Sequence, residues 1–218
     1  MRLLLIISLI FASSLSQAST IKLSYSVLFG YMKTMVKLDY QYATTAFYLI
    51  DRNDKSLCTI KNAQMQVDNN IDPVLFESAG RLLPFFSDQH RKDGGIVVID
   101  IDDGKMTSSC DLQVTVMAKE RELAHLNTTK LIKISEQLEG VLKKNAGMIG
   151  KYFLPKFDGI RLTLSKELNK QQLAKLSNSI VISKNNELLL SNDSFDVINK
   201  INELNLVVVR ITPWLETK

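Results

Sequence analysis

Two cysteines, Cys58 and Cys110, constrain the fold of this chain more than any other sequence feature. They are its only cysteines, they lie 52 positions apart, and each follows an aspartate of an acidic turn (Asp51 or Asp103) by seven positions. A disulfide between them would join two distant segments and stabilise the fold by about 4 kcal/mol in the chain-entropy treatment. The alternative is a pair of buried free thiols, which requires a reducing compartment.

The first eighteen residues indicate the compartment. Met1 and Arg2 precede an apolar run from 3 to 12, and Ser16-Gln17-Ala18 has the small-x-small pattern of a cleavage site. A transmembrane anchor would need about 20 apolar residues, which this run does not reach. The pattern therefore predicts a signal peptide over residues 1–18, cleaved after Ala18. Export to an oxidising space favours the disulfide over free thiols.

Composition excludes several classes of protein. The chain has 218 residues, of which 45% are hydrophobic and 23% charged, and this balance excludes a disordered or low-complexity chain. The formal net charge of +4 is small for this length and gives no reason to expect a nucleic-acid partner. Beyond the leader no apolar run is long enough to predict a membrane span.

Residues 19–126 are predicted to form a hairpin-rich α+β part that contains the disulfide. Apolar spacing predicts a helix over 26–37. Two β-hairpins are predicted, one pairing 45–50 with 57–67 and the other pairing 96–99 with 109–116 across an Asp-Gly turn. Between them, Asp72 followed by Pro73 is typical of a helix start, with Pro84 ending that helix near Leu83.

Residues 127–218 are predicted to form a helix followed by a β-α-β-β-α-β unit. Leu131, Ile134, Leu138 and Val141 make one apolar stripe, which predicts a helix that starts at Asn127. The segments after residue 157 alternate strand and helix in the order of the split βαβ arrangement. The fold class is therefore α+β, with residues 19–126 and 127–218 either as separate domains or packed as one.

Several short runs resemble a family of exported periplasmic proteins of gammaproteobacteria whose function is unknown. They are FYLID at 47–51, LCTIKNA at 57–63, CDLQVTVM at 110–117, the Ser24-Tyr25-Ser26-x-Leu28 pattern, and Leu154-Pro155 ahead of Gly159. The resemblance implies a periplasmic location and a shared cysteine pair. It implies no activity and no catalytic residue.

The sequence contains no recognisable catalytic motif or metal-binding motif. Its two histidines, His90 and His125, have no nucleophile or metal-ligand partner at a characteristic spacing. Asp100-x-Asp102-Asp103 offers alternating carboxylates to calcium but lacks the later glutamate of a full loop, so a solvated turn is the simpler interpretation. We therefore assign no catalytic residue, no metal ligand and no cofactor from sequence.

These observations favour a non-catalytic periplasmic protein that binds or supports an envelope component, either an envelope protein or a small ligand. Two alternatives remain open. An envelope hydrolase with an unrecognised site would place convergent polar groups in a concave pocket. A periplasmic small-molecule sensor would change its stability when its ligand binds.

Overall fold

The computed structural model describes residues 19–78, 80–101, 109–176, 180–183 and 187–216, which form an α+β fold with three four-stranded antiparallel sheets. The predicted signal peptide over 1–18 and the acidic turn at Asp102 and Asp103 lie outside these residues. The helices are α1 Tyr25–Leu38, α2 Asp88–Lys92, α3 Thr128–Gly150, α4 Lys170–Leu176 and α5 Val197–Glu203. The strands are β1 Ser19–Ser24, β2 Ala43–Asp51, β3 Ile60–Val67, β4 Asn70–Pro73, β5 Leu75–Glu77, β6 Arg81–Leu83, β7 Ile96–Ile101, β8 Cys110–Ala118, β9 Phe157–Leu164, β10 Val181–Ser183, β11 Glu187–Ser191 and β12 Val208–Leu215.

The first two sheets share one hydrophobic core with α1. The first sheet has the order β1-β7-β3-β4 and the second the order β5-β6-β2-β8. Met65 and Ile99 of the first sheet are fully buried in the same cluster as Leu49 of the second sheet and Tyr25 and Leu28 of α1. Each sheet thus covers the apolar face of the other. The helix predicted over 26–37 is confirmed as α1, whose buried side chains face this shared core.

The two hairpins predicted from sequence are wrong except at the turn of the first one, where an isolated antiparallel bridge joins Ile50 to Leu57. β2 pairs with β6 and β8, whereas β3 pairs with β4 and β7, so the strands of each predicted hairpin lie in different sheets. The reason is burial, because β2 buries Phe47 and Leu49 on one face and Ala46 and Tyr48 on the other. It therefore takes a central position between two neighbours. Among the described residues of this region, hairpins form between β3 and β4 and between β5 and β6.

The Cys58–Cys110 disulfide is present and links the connection before β3 to the first residue of β8. The two Cα atoms are 6.4 Å apart, and both side chains are buried in the core between the first two sheets. Cys58 also donates its backbone N–H to the carbonyl of Leu49 in β2, at 2.9 Å. The link therefore fastens the two sheets to each other where the chain passes between them.

The helix predicted from Asp72–Pro73 to Leu83 is absent, and the segment forms strands β4, β5 and β6 instead. Gly80 explains this outcome. Its φ is +81°, and a Cβ at this position would lie 2.7 Å from the carbonyl oxygen of Cys58 and 3.0 Å from that of Leu49. The chain thus needs a left-handed residue packed against the backbone of Cys58 and Leu49, and this tertiary contact overrides the local helix-start pattern.

The third sheet confirms the split βαβ arrangement predicted for the C-terminal part. Its strand order is β10-β11-β9-β12, and all neighbouring pairs are antiparallel. β9 and β10 are therefore parallel, with β11 inserted between them, which is the split unit. Ile160, Leu162, Leu188 and Ile211 are fully buried on one face, in a cluster that also holds Ile198 of α5.

Helix α3 joins the third sheet to the second. Asn127 caps its first turn by accepting a hydrogen bond from the backbone N–H of Lys130, at 2.9 Å. The fully buried side chains of Leu131 and Leu138 share one cluster with Ala43 of β2 and with the third sheet. Residues from both sides of position 126 thus contribute to this cluster, and the proposed boundary between 126 and 127 stays a prediction.

Candidate functional site: a polar cleft beside the third sheet

A cleft of about 830 Å³ lies between the third sheet, β8 and α3. The third sheet has one apolar face covered in the core, so the side chains on its opposite face alternate with buried ones and remain accessible. The polar side chains that line the cleft include Asn145, Arg161, Thr163, Glu187, Arg210 and Thr212. The volume is within the range of small-molecule sites, about 300–1,000 Å³.

The two arginines of the cleft come from matching Arg-x-Thr segments on adjacent strands. In the register of β9 and β12, Arg161 lies opposite Thr212, and Thr163 lies opposite Arg210. Directly opposite residues of an antiparallel pair share a face. The two segments therefore place two guanidinium groups and two hydroxyl groups together on the open face, while Leu162 between them is buried.

A β-bulge at Val209 directs Arg210 into the cleft. Val208 lies opposite Leu164 and Arg210 lies opposite Thr163, so Val209 has no partner position on β9. Val208 and Ile211 are both buried although they are three positions apart, and a regular strand with a period of two cannot bury both. The extra residue at Val209 shifts the alternation of inward and outward side chains by one position. Arg210, which precedes the buried Ile211, therefore faces outward.

Three buried polar atoms of the cleft lack a hydrogen-bond partner among the described residues. They are Nε of Arg161, Nε of Arg210 and Oδ1 of Asn145. Arg161 Nε lies 3.5 Å from a carboxylate oxygen of Glu187, which is an ion pair but not a hydrogen bond. The guanidinium carbon of Arg210 lies 5.0 Å from the ring centre of Tyr48. Buried polar atoms without a hydrogen-bond partner are rare in folded proteins and call for an explanation.

The cleft carries a positive charge. Its charged lining residues are Lys55, Arg161 and Arg210 on the basic side and Glu187 on the acidic side. The planar guanidinium fork matches the two oxygens of a carboxylate or a phosphate, and the neighbouring threonine hydroxyls add further donors. The arrangement is therefore suited to binding an anion. The described lining residues include the carboxylate of Glu187 but no histidine, cysteine or aspartate.

The structure brings a serine and an aspartate to His90, which sequence reasoning left without partners. His90 Nδ1 lies 2.6 Å from Ser87 Oγ, and Nε2 lies 2.9 Å from a carboxylate oxygen of Asp72. Ser87 also caps α2, because its Oγ accepts the backbone N–H of His90 at 3.2 Å. Lys92 and Arg91 lower the pKa of Asp88, which keeps a carboxylate at this helix start.

The other sequence candidates do not gather into a site. Asp100 accepts a hydrogen bond from the hydroxyl of Thr20 at 3.0 Å, and its neighbours Asp102 and Asp103 are not among the described residues. His125 has a left-handed backbone conformation, with φ of 52°, three positions before Thr128, the first residue of α3. Within the described ranges, no group of three or more His, Cys, Asp or Glu side chains is placed to hold a metal ion.

Arg161 and Arg210 were missed at the sequence level. Each was treated only as part of a strand, although each is followed two residues later by threonine around a buried apolar residue. The repeated Arg-x-Thr pattern was the available signal. It does not reveal the pairing, because the register of β9 and β12 depends on the bulge at Val209.

Together these features define an α+β protein with a disulfide between two packed sheets and a cationic cleft on a split βαβ unit. The chain belongs to the family described as "Protein of unknown function (DUF2987)", which matches residues 17–164. The match thus includes Asn145 and Arg161 and ends before Glu187 and Arg210. No curated protein and no solved structure gives a significant match. Over the described residues, no helix has both the length and the apolar character to cross a bilayer.

Proposed function

We propose that this protein is a non-catalytic binding protein whose cleft takes a small anionic molecule bearing carboxylate or phosphate groups. The observation that carries this proposal is that Arg161 and Arg210 line one cleft from paired strands, and that neither buried Nε atom has an acceptor among the described residues. An anion with two oxygens would accept hydrogen bonds from the guanidinium groups of both arginines and offset the excess positive charge. The third-sheet core on the other face holds both arginines in place.

We further propose that the protein is exported to the bacterial periplasm and works there without its first eighteen residues. The leader pattern, the resemblance to exported gammaproteobacterial proteins and the Cys58–Cys110 disulfide support this location. Ser19, the first residue after the predicted cleavage site, is also the first residue of β1 and pairs with Ile101. Terminal sequencing of the protein from a periplasmic fraction should find Ser19, and an intact Met1 in the cytosol would contradict the export.

Calorimetric titration with inorganic pyrophosphate and with citrate tests the binding proposal. These probes present phosphate and carboxylate oxygens separately. We expect saturable binding of at least one probe, and we expect Arg161→Met and Arg210→Met each to weaken it by about tenfold or more, since a hydrogen bond to a charged group contributes about 1.5–3 kcal/mol. Methionine keeps much of the side-chain volume, so both variants should fold.

Arg121→Met is the matched control, because it removes one arginine from the surface outside the cleft. The Arg121 side chain is 71% exposed and pairs with Glu122. It should bind both probes like the wild type. Equal weakening in all three variants would show that net charge alone attracts the anion, and the cleft proposal would then be wrong.

A second candidate function is hydrolysis, because Ser87, His90 and Asp72 form a continuous hydrogen-bonded chain. A serine, a histidine and a carboxylate in this order are the parts of a nucleophilic triad. Labelling with a fluorophosphonate probe tests it. Modification of Ser87 that disappears in His90→Ala would support a hydrolase, whereas an unlabelled Ser87 leaves the three residues as a cap and brace for α2.

A sensor role would use the same cleft but would also require a response to the ligand. Thermal unfolding across a panel of anionic metabolites separates the two possibilities from an empty cleft, because any ligand that binds only the folded state raises the Tm. A sensor would show, in addition, a ligand-dependent association with an envelope protein.

A further inference from the structure

The end of α3 presents a concentrated apolar surface to solvent. Met148, Ile149, Tyr152 and Phe153 are 82%, 75%, 77% and 81% exposed. We call residues 148–153 the α3 tip. Single exposed apolar side chains are ordinary, but four large ones within six residues form a patch of the kind that marks an interaction surface.

A kink at Gly147 creates this exposure. Its φ of 74° and ψ of −172° are not helical, although the helix continues on both sides. The buried stripe of α3 runs through Leu138 and Val141, and a straight helix would continue it to positions 145, 148 and 149. The left-handed residue turns the last helical turn away from the core, so Met148 and Ile149 point into solvent instead of packing.

The α3 tip lies in a basic stretch. From 140 to 157 the chain contains four lysines, at 143, 144, 151 and 156, and no aspartate or glutamate. Lys143 pairs with Glu139 at 2.6 Å and Lys156 pairs with Asp158 at 2.9 Å. Lys144 and Lys151 are exposed, and Lys151 Nζ lies 5.1 Å from the ring centre of Tyr152. Apolar and aromatic side chains flanked by lysines are the composition of segments that enter the interface of an anionic bilayer.

We propose that the α3 tip docks onto the surface of an anionic phospholipid bilayer. Met148, Ile149, Tyr152 and Phe153 enter the boundary between headgroups and acyl chains, while Lys144 and Lys151 contact lipid phosphates. The charge of the stretch selects this occupant, because a second copy of the chain would bring its own lysines against these. Ala146 and Leu154 on either side of the tip line the cleft, so docking would hold the cleft close to the membrane surface.

Sedimentation with vesicles tests this proposal independently of the cleft. The probes are vesicles of phosphatidylglycerol with phosphatidylethanolamine, and vesicles of phosphatidylcholine alone. We expect the wild type to prefer the anionic vesicles and Tyr152→Ser/Phe153→Ser to lower its partition coefficient by about tenfold or more. Lys144→Gln/Lys151→Gln should lower binding to the anionic vesicles severalfold and remove the preference between the two vesicle types.

Two matched controls test whether any loss of exposed apolar side chains or of lysines would lower vesicle binding. Ile71→Ser/Leu75→Ser removes two other exposed apolar side chains, 61% and 71% exposed, and Lys166→Gln/Lys170→Gln removes two exposed lysines elsewhere. Both should bind vesicles like the wild type. Because the substituted side chains lie on the surface, each variant should keep the thermal transition of the wild type.

Wild-type protein that fails to sediment with anionic vesicles would overturn the proposal, as would tip variants that bind as well as their controls. A dimer that is lost in Tyr152→Ser/Phe153→Ser, without vesicle binding, would assign the tip to an interface between copies. The cleft variant Arg161→Met should sediment normally. Loss of anion binding with intact vesicle binding would therefore leave the docking proposal standing on its own.

Discussion

Arg210 of β12 lies directly opposite Thr163 of β9, on the open face of the third sheet. A regular continuation from the Val208–Leu164 pair would place Arg210 opposite Leu162, which is fully buried. The bulge at Val209 places Arg210 opposite Thr163 instead of Leu162, because the extra residue lets both Val208 and Ile211 enter the core. The packing of Val208 and Ile211 on one face of the sheet therefore places Arg210 in the cationic cleft on the other face.

Deletion of Val209 tests this account of the bulge. The remaining residues would keep the pairs Val208–Leu164 and Arg210–Thr163 in a regular strand, so Arg210 should stay in the cleft. We expect the free energy of unfolding, measured with urea, to fall by about 1 kcal/mol or less, since the Val209 side chain is half exposed. Deletion of Ile211 is the contrast, because it moves Thr212 into the core. Equal, severe losses in both deletions would show that the bulge does not set the phase of β12.

Removal of the disulfide should cost the fold much of its stability. Cys58→Ala/Cys110→Ala releases a link across 52 positions, and we expect the free energy of unfolding to drop by about 4 kcal/mol through the entropy of the unfolded chain. The single variant Cys58→Ala should lose a similar amount, because it already breaks the link. A loss below about 1 kcal/mol in urea unfolding would show that the two sheets hold each other without it.

Gly80 and Gly30 should respond in opposite directions to alanine. Gly80→Ala places a Cβ at φ of +81°, 2.7 Å from the carbonyl oxygen of Cys58, and we expect a loss of about 2 kcal/mol or more. Gly30 lies exposed in α1 with no atom within 4 Å of an added Cβ, and Gly30→Ala should gain about 0.5–1 kcal/mol from helix propensity. Equal midpoints of thermal unfolding for the two variants would contradict the strain assigned to Gly80.

Tyr25 should make stability depend on alkaline pH. Burial raises the pKa of its phenol, and the N–H of Ser87 that donates to the phenol oxygen only partly opposes this shift. Its O–H donates to the carbonyl of Phe85 at 2.7 Å, which requires the protonated form. The folded pKa is raised, so the phenol's contribution is complete below the unfolded pKa of about 10 and is lost as the pH rises through the folded pKa.

The matched variant for this prediction is Tyr25→Phe. It should be less stable than the wild type by about 1–2 kcal/mol at neutral pH, through the loss of the two hydrogen bonds. The difference should stay constant up to about pH 10 and shrink above it. Urea unfolding at a series of pH values measures it. A difference that is independent of pH between 9 and 12 would show that folding does not shift the pKa of this phenol.

Sequence patterns predicted the elements whose stability is local or periodic, and failed where tertiary contacts decide. The α3 stripe and the βαββαβ order of the C-terminal part were found because each element shows its own period. The hairpins were wrong because polar turn residues favour pairing of neighbouring segments, whereas both edges of β2 pair with strands that come later in the chain, β6 and β8. The helix after Pro73 was wrong because Gly80 packs against the backbone of Cys58, a contact 22 positions away.

The cleft could not have been predicted from single residues. Arg161 and Arg210 are far apart in the sequence and become neighbours only through the register of β9 and β12. Their strands were identified, and the regular alternation of β9 places Arg161 opposite the core. The face of Arg210, however, depends on the bulge in β12, whose sequence signal is the three-residue spacing of the core residues Val208 and Ile211. Ser87, His90 and Asp72 met for a similar reason, since Asp72 belongs to β4 and His90 to α2.

Nuclear magnetic resonance of the arginine Nε–Hε groups during a titration with inorganic pyrophosphate or citrate tests anion binding in the cleft most directly. Assignment follows from the single signals lost in Arg161→Met and Arg210→Met, with Arg121 as the internal control. We predict that the signals of Arg161 and Arg210 move together and saturate with one Kd for at least one anion, while Arg121 stays in place. If neither cleft arginine responds, or if all arginine signals drift without saturation, the cleft does not bind anions.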